Sequence, residues 1–277
     1  MNKFIVYKAS GGLCHMLSGL IYAVELSLKY NRHLILDVEK HYAFKTSFKK
    51  FFYLKDLEYF EDYSIIPKNT KYKNMSFDEF TSCYWFEYLP NGGAKFNNKF
   101  IIDPIKDIQD NEDIALYFGN GKCRWDLMSK YIRINSCISK EISKYRVNDK
   151  YIGIHFRNTD IKTDINVIFN KINTALNNNK DIKKIYLATD DYYSIDIFKK
   201  KFCNNYNIIH FTTPIKIPSD GKNIHYSNNN KEQLHTNILI DMFTLIYSTI
   251  FIGSKSGVSN WINYIRNNNL DKHTFNF

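Results

Sequence analysis

The sequence predicts an α/β protein made of two doubly wound halves. Three observations carry that expectation. A short apolar run, a glycine turn, a long amphipathic segment and a second apolar run follow one another within the first 37 residues. That is the pattern of a β-α-β unit, and hence of a parallel sheet. The same alternation returns after residue 150. Between the two regions lies a short polar stretch at 145–150, Tyr-Arg-Val-Asn-Asp-Lys, which divides the chain into 1–148 and 149–277.

The elements follow in order. Phe4-Ile5-Val6-Tyr7 reads as a strand, and Ala9-Ser10-Gly11-Gly12 breaks it. Leu13, Leu17, Leu20, Ile21, Val24 and Leu28 recur at helical spacing up to Tyr30, and His33–Asp37 reads as the next strand. Residues 40–145 are aromatic-rich and poorly periodic. Strands near Lys99–Ile102 and Ala115–Phe118 and one helix over Leu127–Lys144 are expected there. In the strand Tyr151–Arg157, Ile152, Ile154 and Phe156 take one face, while Tyr151, Gly153, His155 and Arg157 take the other. Ile165, Ile168, Ile172, Ala175 and Leu176 mark a helix face. Ile185–Ala188 is a strand, and Thr189-Asp190-Asp191 opens a helix over Tyr193–Phe202. A strand at Ile208–Phe211, a polar loop at Pro218–Lys231, a helix at Leu234–Tyr247, a strand at Ile250–Gly253 and a helix at Gly257–Asn268 complete the second half.

Composition excludes several classes. Of 277 residues, 44% are hydrophobic, and there are only 11 Gly and 5 Pro, which rules out a disordered or fibrous chain. The longest apolar region, Ile238–Gly253, is interrupted by Asp241, so no membrane span is expected. The first residues lack the pattern of a signal peptide. Cys14, Cys83, Cys123, Cys137 and Cys203 form no CxxC pair, which argues against a disulfide framework or a zinc site. A cytoplasmic location is the expectation. One glycosylation sequon occurs, Asn74-Met75-Ser76, a triplet that arises readily by chance. The net charge of +10 is spread over short runs such as Lys49-Lys50, Lys183-Lys184 and Lys199-Lys200-Lys201, in a chain equally rich in Asn, Ile, Tyr and Phe. That profile reads as codon bias more than as a nucleic-acid footprint, so no nucleic-acid partner is expected.

Several places could carry chemistry. His155 and Arg157 share a face at the carboxyl end of a strand, where open α/β sheets bind ligands. The planar fork of Arg157 suits a phosphate, and Asp160 stands ready to orient it or to move a proton. An exposed Arg–Asp pair at a strand end is the competing reading. Asp241 falls inside the apolar stripe Ile238, Met242, Leu245 and Thr249, where a carboxylate needs a partner such as the N–H groups of a guanine; a solvated Asp241 is the alternative. Gly253-Ser254-Lys255-Ser256-Gly257 is a small-residue turn into a helix. Its free N–H groups, hydroxyls and the Lys255 ammonium would suit a pyrophosphate, though plain serine capping needs no ligand. Asp190-Asp191 could attract magnesium, but an Asp N-cap is the stronger reading and no metal is expected. Gly11-Gly12 could admit a diphosphate or be only a tight turn. The aromatics Tyr84, Trp85, Phe86, Tyr88 and Trp125 could stack on a sugar, and are weighed instead as core.

Together these segments resemble the superfamily of GDP-fucose-dependent fucosyltransferases, which includes the nodulation, α1,6, bacterial α1,2 and protein O-fucosyltransferases. Ile152–Asp160 resembles the family's H-x-R-x-x-D motif, Tyr186–Asp191 its second motif and Asp241–Gly257 its third, while Gly11-Gly12-Leu13 resembles its N-terminal glycine loop. The match covers the first 40 residues and most of 150–265. The resemblance implies a GT-B-like fold: two Rossmann-like domains facing a cleft, with the acceptor on the side of the first and the donor on the second. It implies an inverting, metal-independent transferase moving fucose from GDP-fucose to a glycan hydroxyl, with no cofactor. By the same resemblance Arg157 would hold the donor's β-phosphate, and His155 and Asp241 would contact the guanine nucleotide. Ser254, Ser256 and Gly257 would line the diphosphate; with the residue readings of Lys255, Gly11, Gly12 and Asp190, these make up the candidate donor set. The α1,6 enzymes carry a lysine and a glutamate just after their Asp. Here Lys162 and Asp164 are each displaced by one position, and Ile161 and Ile165 stand in the aligned places. Asp160 and Asp164 are the candidates for the catalytic base, and Asp164 could equally cap the following helix. The alternatives are a GT-B transferase for another nucleotide sugar, a basic nucleic-acid-binding protein, or a transferase fold retained as a binding module.

Overall fold

The computed structural model describes residues 3–41, 43–82, 86–88, 94–96, 100–119, 124–159, 161–214 and 230–268. The expected polar loop at Pro218–Lys231 lies almost wholly outside them, as do Asp160, Cys83, Cys123, Tyr84 and Trp85. Cys14, Cys137 and Cys203 are free thiols. The chain packs as two units, Met1–Asn135 and Ser136–Phe277.

The first unit opens with β1 (Phe4–Lys8), α1 (Leu13–Tyr30) and β2 (His33–Asp37), the unit expected from the apolar periodicity. α2 (Phe48–Phe51), β3 (Phe52–Leu54), β4 (Tyr59–Phe60) and α3 (Phe77–Ser82) follow. Next come β5 (Phe86–Tyr88), β6 (Ala94–Phe96), β7 (Phe100–Ile102), α4 (Pro104–Gln109), β8 (Ile114–Phe118), α5 (Trp125–Tyr131) and β9 (Ile132–Ile134). The main sheet is parallel, in the order β4-β2-β1-β8. Phe4, Val6, Ile35 and Leu116 pack one face against Tyr72, Phe80 and Ile102. On the other face α1 buries Leu17, Leu20 and Ile21, and the Tyr7 hydroxyl donates to the Met16 carbonyl at 2.7 Å.

One expected element is overturned. The helix placed over Leu127–Lys144 is three elements: α5, then β9, then α6 (Ser136–Ser143). Ile132, Arg133 and Ile134 pair antiparallel with Leu54, Tyr53 and Phe52. The two β-branched isoleucines fit a pleated surface, and their partner strand lies nearly 80 residues upstream, beyond the reach of local periodicity. The expected division at 148/149 is likewise not where the packing divides: α6 belongs to the second unit, where it packs on α9.

After α6 the second unit runs β10 (Tyr151–Phe156), α7 (Ile165–Asn178), β11 (Lys184–Thr189), α8 (Tyr192–Phe202), β12 (Asn207–Ile209), α9 (Lys231–Tyr247), β13 (Ile250–Gly253) and α10 (Gly257–Asn267). Its sheet is parallel, in the order β12-β11-β10-β13. Ile152, Ile154 and Phe156 face α7 and α8, through Ile168, Ile172, Ile195 and Phe198. The opposite face carries α9: the Tyr151 hydroxyl donates to the Thr244 carbonyl at 2.6 Å. Helices on both faces make this unit doubly wound. β12 is shorter than expected. His210 and Phe211 leave the sheet, and the Phe211 ring packs against Tyr186 and Tyr145 at 5.2 and 5.4 Å.

Candidate functional site

The strand order of the second unit reverses at β10. From there the chain steps outward to β11 and β12, then returns to the other side of β10 as β13. Loops after β10 and β13 therefore diverge, leaving an opening at the carboxyl edge where such sheets bind ligands. His155 and Arg157 stand at the end of β10, and the serine turn stands at the end of β13.

Backbone and side-chain bonds fix the two loop ends together. The Ser254 amide donates to the His155 carbonyl at 2.8 Å, and the Arg157 amide donates to Ser254 Oγ at 3.1 Å. Ser256 is the N-cap of α10, its Oγ accepting the Ser259 amide at 3.0 Å. His155 Nδ1 lies 2.7 Å from Ser259 Oγ and 3.3 Å from Ser256 Oγ. Gly253 permits this approach, because a Cβ there would stand 2.7 Å from Ser259 Oγ. Burial first, and then the Arg157 charge, lower the pKa of His155 to about 4. The imidazole is neutral at physiological pH. If a serine hydroxyl donates to Nδ1, the ring proton sits on Nε2, which has no hydrogen-bond partner among the described residues.

Arg157 is half-buried, its Nε 3.8 Å from Asp190 Oδ2. Asp190 does more than face the arginine: it accepts the Asn158 amide at 2.8 Å and the Thr159 hydroxyl at 2.6 Å. Its neighbour Asp191 caps α8, accepting the Tyr193 amide, the Ser194 hydroxyl and the Asn158 side-chain amide. Burial would raise the Asp191 pKa, but the bonds from Ser194, Asn158 and Tyr193 outweigh it and hold the carboxyl below its usual range. The carboxylate pair thus ties the β11–α8 turn to the loop that carries Arg157. Among the described residues no group of three or more His, Cys, Asp or Glu is placed to hold a metal ion.

Asp241 is half-buried on α9. Its carboxylate accepts the Tyr186 hydroxyl at 2.6 Å and the Thr212 hydroxyl at 2.9 Å. Burial raises its pKa to about 7, against the lowering effect of those two bonds. Tyr186 pairs in register with Gly153, so it shares the sheet face of His155, roughly one strand repeat of 6–7 Å back along the strand. The polar groups at this face thus include an imidazole and a carboxylate.

The remaining expected residues separate. Lys255 is exposed on the turn, and Gly257 opens α10. Asp164 is exposed and caps α7, accepting the Asn166 amide at 2.9 Å. Gly11 and Gly12 lie in the first unit between β1 and α1. There Gly11 has φ +67°, a left-handed conformation that favours glycine, and Gly12 caps α1 without a side-chain bond. Asp160 lies outside the described residues. Ser259 and Thr212 escaped sequence reasoning, and Tyr186 was read only as the first residue of the second motif. Ser259 left a signal, three residues after the capping Ser256.

No protein-family model matches the chain, and no curated protein sequence does. Solved structures do match. The chain aligns with fucosyltransferase NodZ from Bradyrhizobium at TM-score 0.54 and 17% identity, covering 95% of this chain and 93% of that one. It aligns with POFUT1 in its apo form at TM-score 0.61 and 12% identity, covering 96% and 95%, and with POFUT1 in complex with GDP-fucose at TM-score 0.55 and 11% identity, covering 94% and 92%. A NodZ α1,6-fucosyltransferase crystal soaked with GDP-fucose matches at TM-score 0.54 and 16% identity, covering 95% and 92%. At these identities the likeness is one of fold: the chain has a fucosyltransferase-type, GT-B-like α/β fold.

Proposed function

We propose that the chain is an inverting, metal-independent fucosyltransferase that moves fucose from GDP-fucose to a glycan hydroxyl. The observation that carries the reading is the junction of β10 and β13, where Arg157 stands beside the serine-capped N-terminus of α10. A departing GDP gathers negative charge on its β-phosphate. The Arg157 guanidinium, the free N–H groups of the α10 first turn and the neutral His155 Nε2–H are donors suited to that charge as it develops. The fixed positive charge of Arg157 supplies there what a divalent cation would supply elsewhere. Asp190 holds the loop that aims Arg157. Asp241 keeps acceptor capacity beyond its bonds to Tyr186 and Thr212, which suits the N1–H and amino group of guanine. In this reading the second unit holds the donor, the first serves the acceptor, and Asp160 or Asp164 takes the acceptor's proton.

Calorimetric titration with GDP, UDP, CDP and ADP, with and without EDTA, tests the proposal. GDP should bind best, with no change on adding EDTA, and Arg157→Ala should weaken it by roughly 10- to 100-fold. Preference for another base would move the reading to a different nucleotide sugar. Salt-sensitive binding of generic DNA with no nucleotide affinity would replace it with the nucleic-acid reading.

A further inference from the structure

We propose that the outer face of α7 and α8 seats the second unit on an anionic membrane surface. The two helices lie side by side, joined by Phe169 against Phe198 and Phe202 at 5.1 and 5.4 Å. Both follow parallel strands, so both N-termini lie at the carboxyl edge of the sheet, beside the loop of Arg157.

Several large apolar side chains on these two helices and on the loop before α7 face outward. Tyr193 is 63% exposed, Val167 48%, Ile197 44%, Ile161 39% and Tyr192 37%. Tyr193 and Ile197 are four apart on α8 and so share one face. The Tyr192 and Tyr193 rings meet edge to face at 5.7 Å. Ser194, Ile195 and Phe198 already face the core, so these outward residues are surplus to α8's own packing. A cluster of this kind marks an interaction surface.

The charge around it selects the partner. Lys162, Lys171, Lys199, Lys200 and Lys201 are exposed on the same two helices and the loop before α7, against the exposed aspartates Asp164 and Asp196. None of the five lysines makes an ion pair among the described residues. Lys201 instead lies over the Phe169 ring at 5.9 Å, and Lys162 donates to the Asn158 carbonyl at 2.8 Å. Lys199, Lys200 and Lys201 lie in the last turn of α8, with Lys200 three residues beyond Ile197 on the same face, and exposed lysines on a helix that also exposes tyrosine and aliphatic side chains match an interface of anionic headgroups over acyl chains. Tyrosine favours that depth because its ring is apolar and its hydroxyl is wet. No helix among the described residues is long and apolar enough to cross a membrane, and surface seating needs none. The seat would bring the carboxyl edge of this sheet close to the bilayer, where a lipid-linked acceptor would present its glycan. That last consequence rests on the transferase reading; the binding itself does not.

Co-sedimentation of the full chain with vesicles tests it. Vesicles of phosphatidylcholine mixed with phosphatidylglycerol should retain the chain, and vesicles of phosphatidylcholine alone should not. The double variant K199E/K200E should lower retention by on the order of tenfold or more. Y193S/I197S should lower it at both low and high salt, because it removes the apolar contact. Both variants should keep the wild-type melting temperature and GDP affinity, since the changes are on the surface. Equal retention on the two vesicle types, no retention on either, or unchanged retention of both variants overturns the proposal. So does binding to polyglutamate in the absence of vesicle binding, which would assign the face to an acidic protein.

Discussion

At the residue scale, two titratable groups on one sheet face are shifted in opposite directions. His155 is lowered to about 4 by burial and by the Arg157 charge. The unfolded imidazole, near 6.5, takes up protons first, so the stability owed to the neutral ring is full above pH 6.5 and is lost as pH falls towards 4. NMR titration of the ring should give a midpoint close to 4; a midpoint above 6 would mean that the ring is not held neutral against Ser259. Asp241 is raised to about 7 by burial. Here the folded state keeps a proton that the unfolded chain releases, so stability is highest below the ordinary carboxyl pKa and falls as pH rises through 7. The ionised carboxylate is nonetheless the form that accepts N–H groups from guanine. GDP affinity should therefore decline as pH falls below about 7, and Asp241→Asn should flatten that decline. The phosphate titrates identically in both proteins, so the difference between the two profiles isolates Asp241. Identical profiles would remove it from the guanine contact.

At the element scale, the ends of β1 and β2 carry a device that no motif announced. Lys8 is fully buried, with its ammonium 2.8 Å from Asp37 Oδ2. The Tyr63 hydroxyl also donates to that carboxylate. Phe80 gives its carbonyl at 3.3 Å, and its ring centroid lies 5.2 Å from Lys8 Nζ. The pair binds the carboxyl ends of two neighbouring parallel strands in register. Lys8→Met would leave Asp37 buried without its cation and should destabilise the chain by about 3–5 kcal/mol. Urea denaturation measures this, and a loss below about 1 kcal/mol would show that the carboxylate is satisfied without the lysine. Elements with a long apolar period were legible from residue identities: α1 spans Leu13–Tyr30 as its leucines indicated, and α7 buries Ile168, Ile172 and Leu176. β9 was not legible, because its three residues acquire their structure from β3, a partner far off in sequence. The helix expected over Leu127–Lys144 failed on that tertiary pairing.

At the scale of the whole molecule, the two units share one sheet plan. β4-β2-β1-β8 and β12-β11-β10-β13 are both parallel, and each reverses beside its first strand. Each unit therefore opens at the carboxyl edge of that strand, at Gly11-Gly12 in one and at His155-Arg157 in the other. That plan was readable from the β-α-β pattern at each unit's start. The aromatic middle was not, since the β3–β9 pair and the β5-β6-β7 sheet join segments with no common period. In the candidate site, the placement of Arg157, His155 and the serine turn at one strand junction followed from motif order. The bonds that set their chemistry did not. Ser259 against Nδ1, and Tyr186 and Thr212 on Asp241, arise from register and helix phase between segments far apart in the chain.

A crystal structure of the chain soaked with GDP puts the central claim to the most direct test. The β-phosphate should lie within hydrogen-bond distance of the Arg157 guanidinium and of the backbone amides between Ser254 and Gly257. A diphosphate bound elsewhere, with Arg157 still turned towards Asp190, would contradict the assignment of this junction as the donor site.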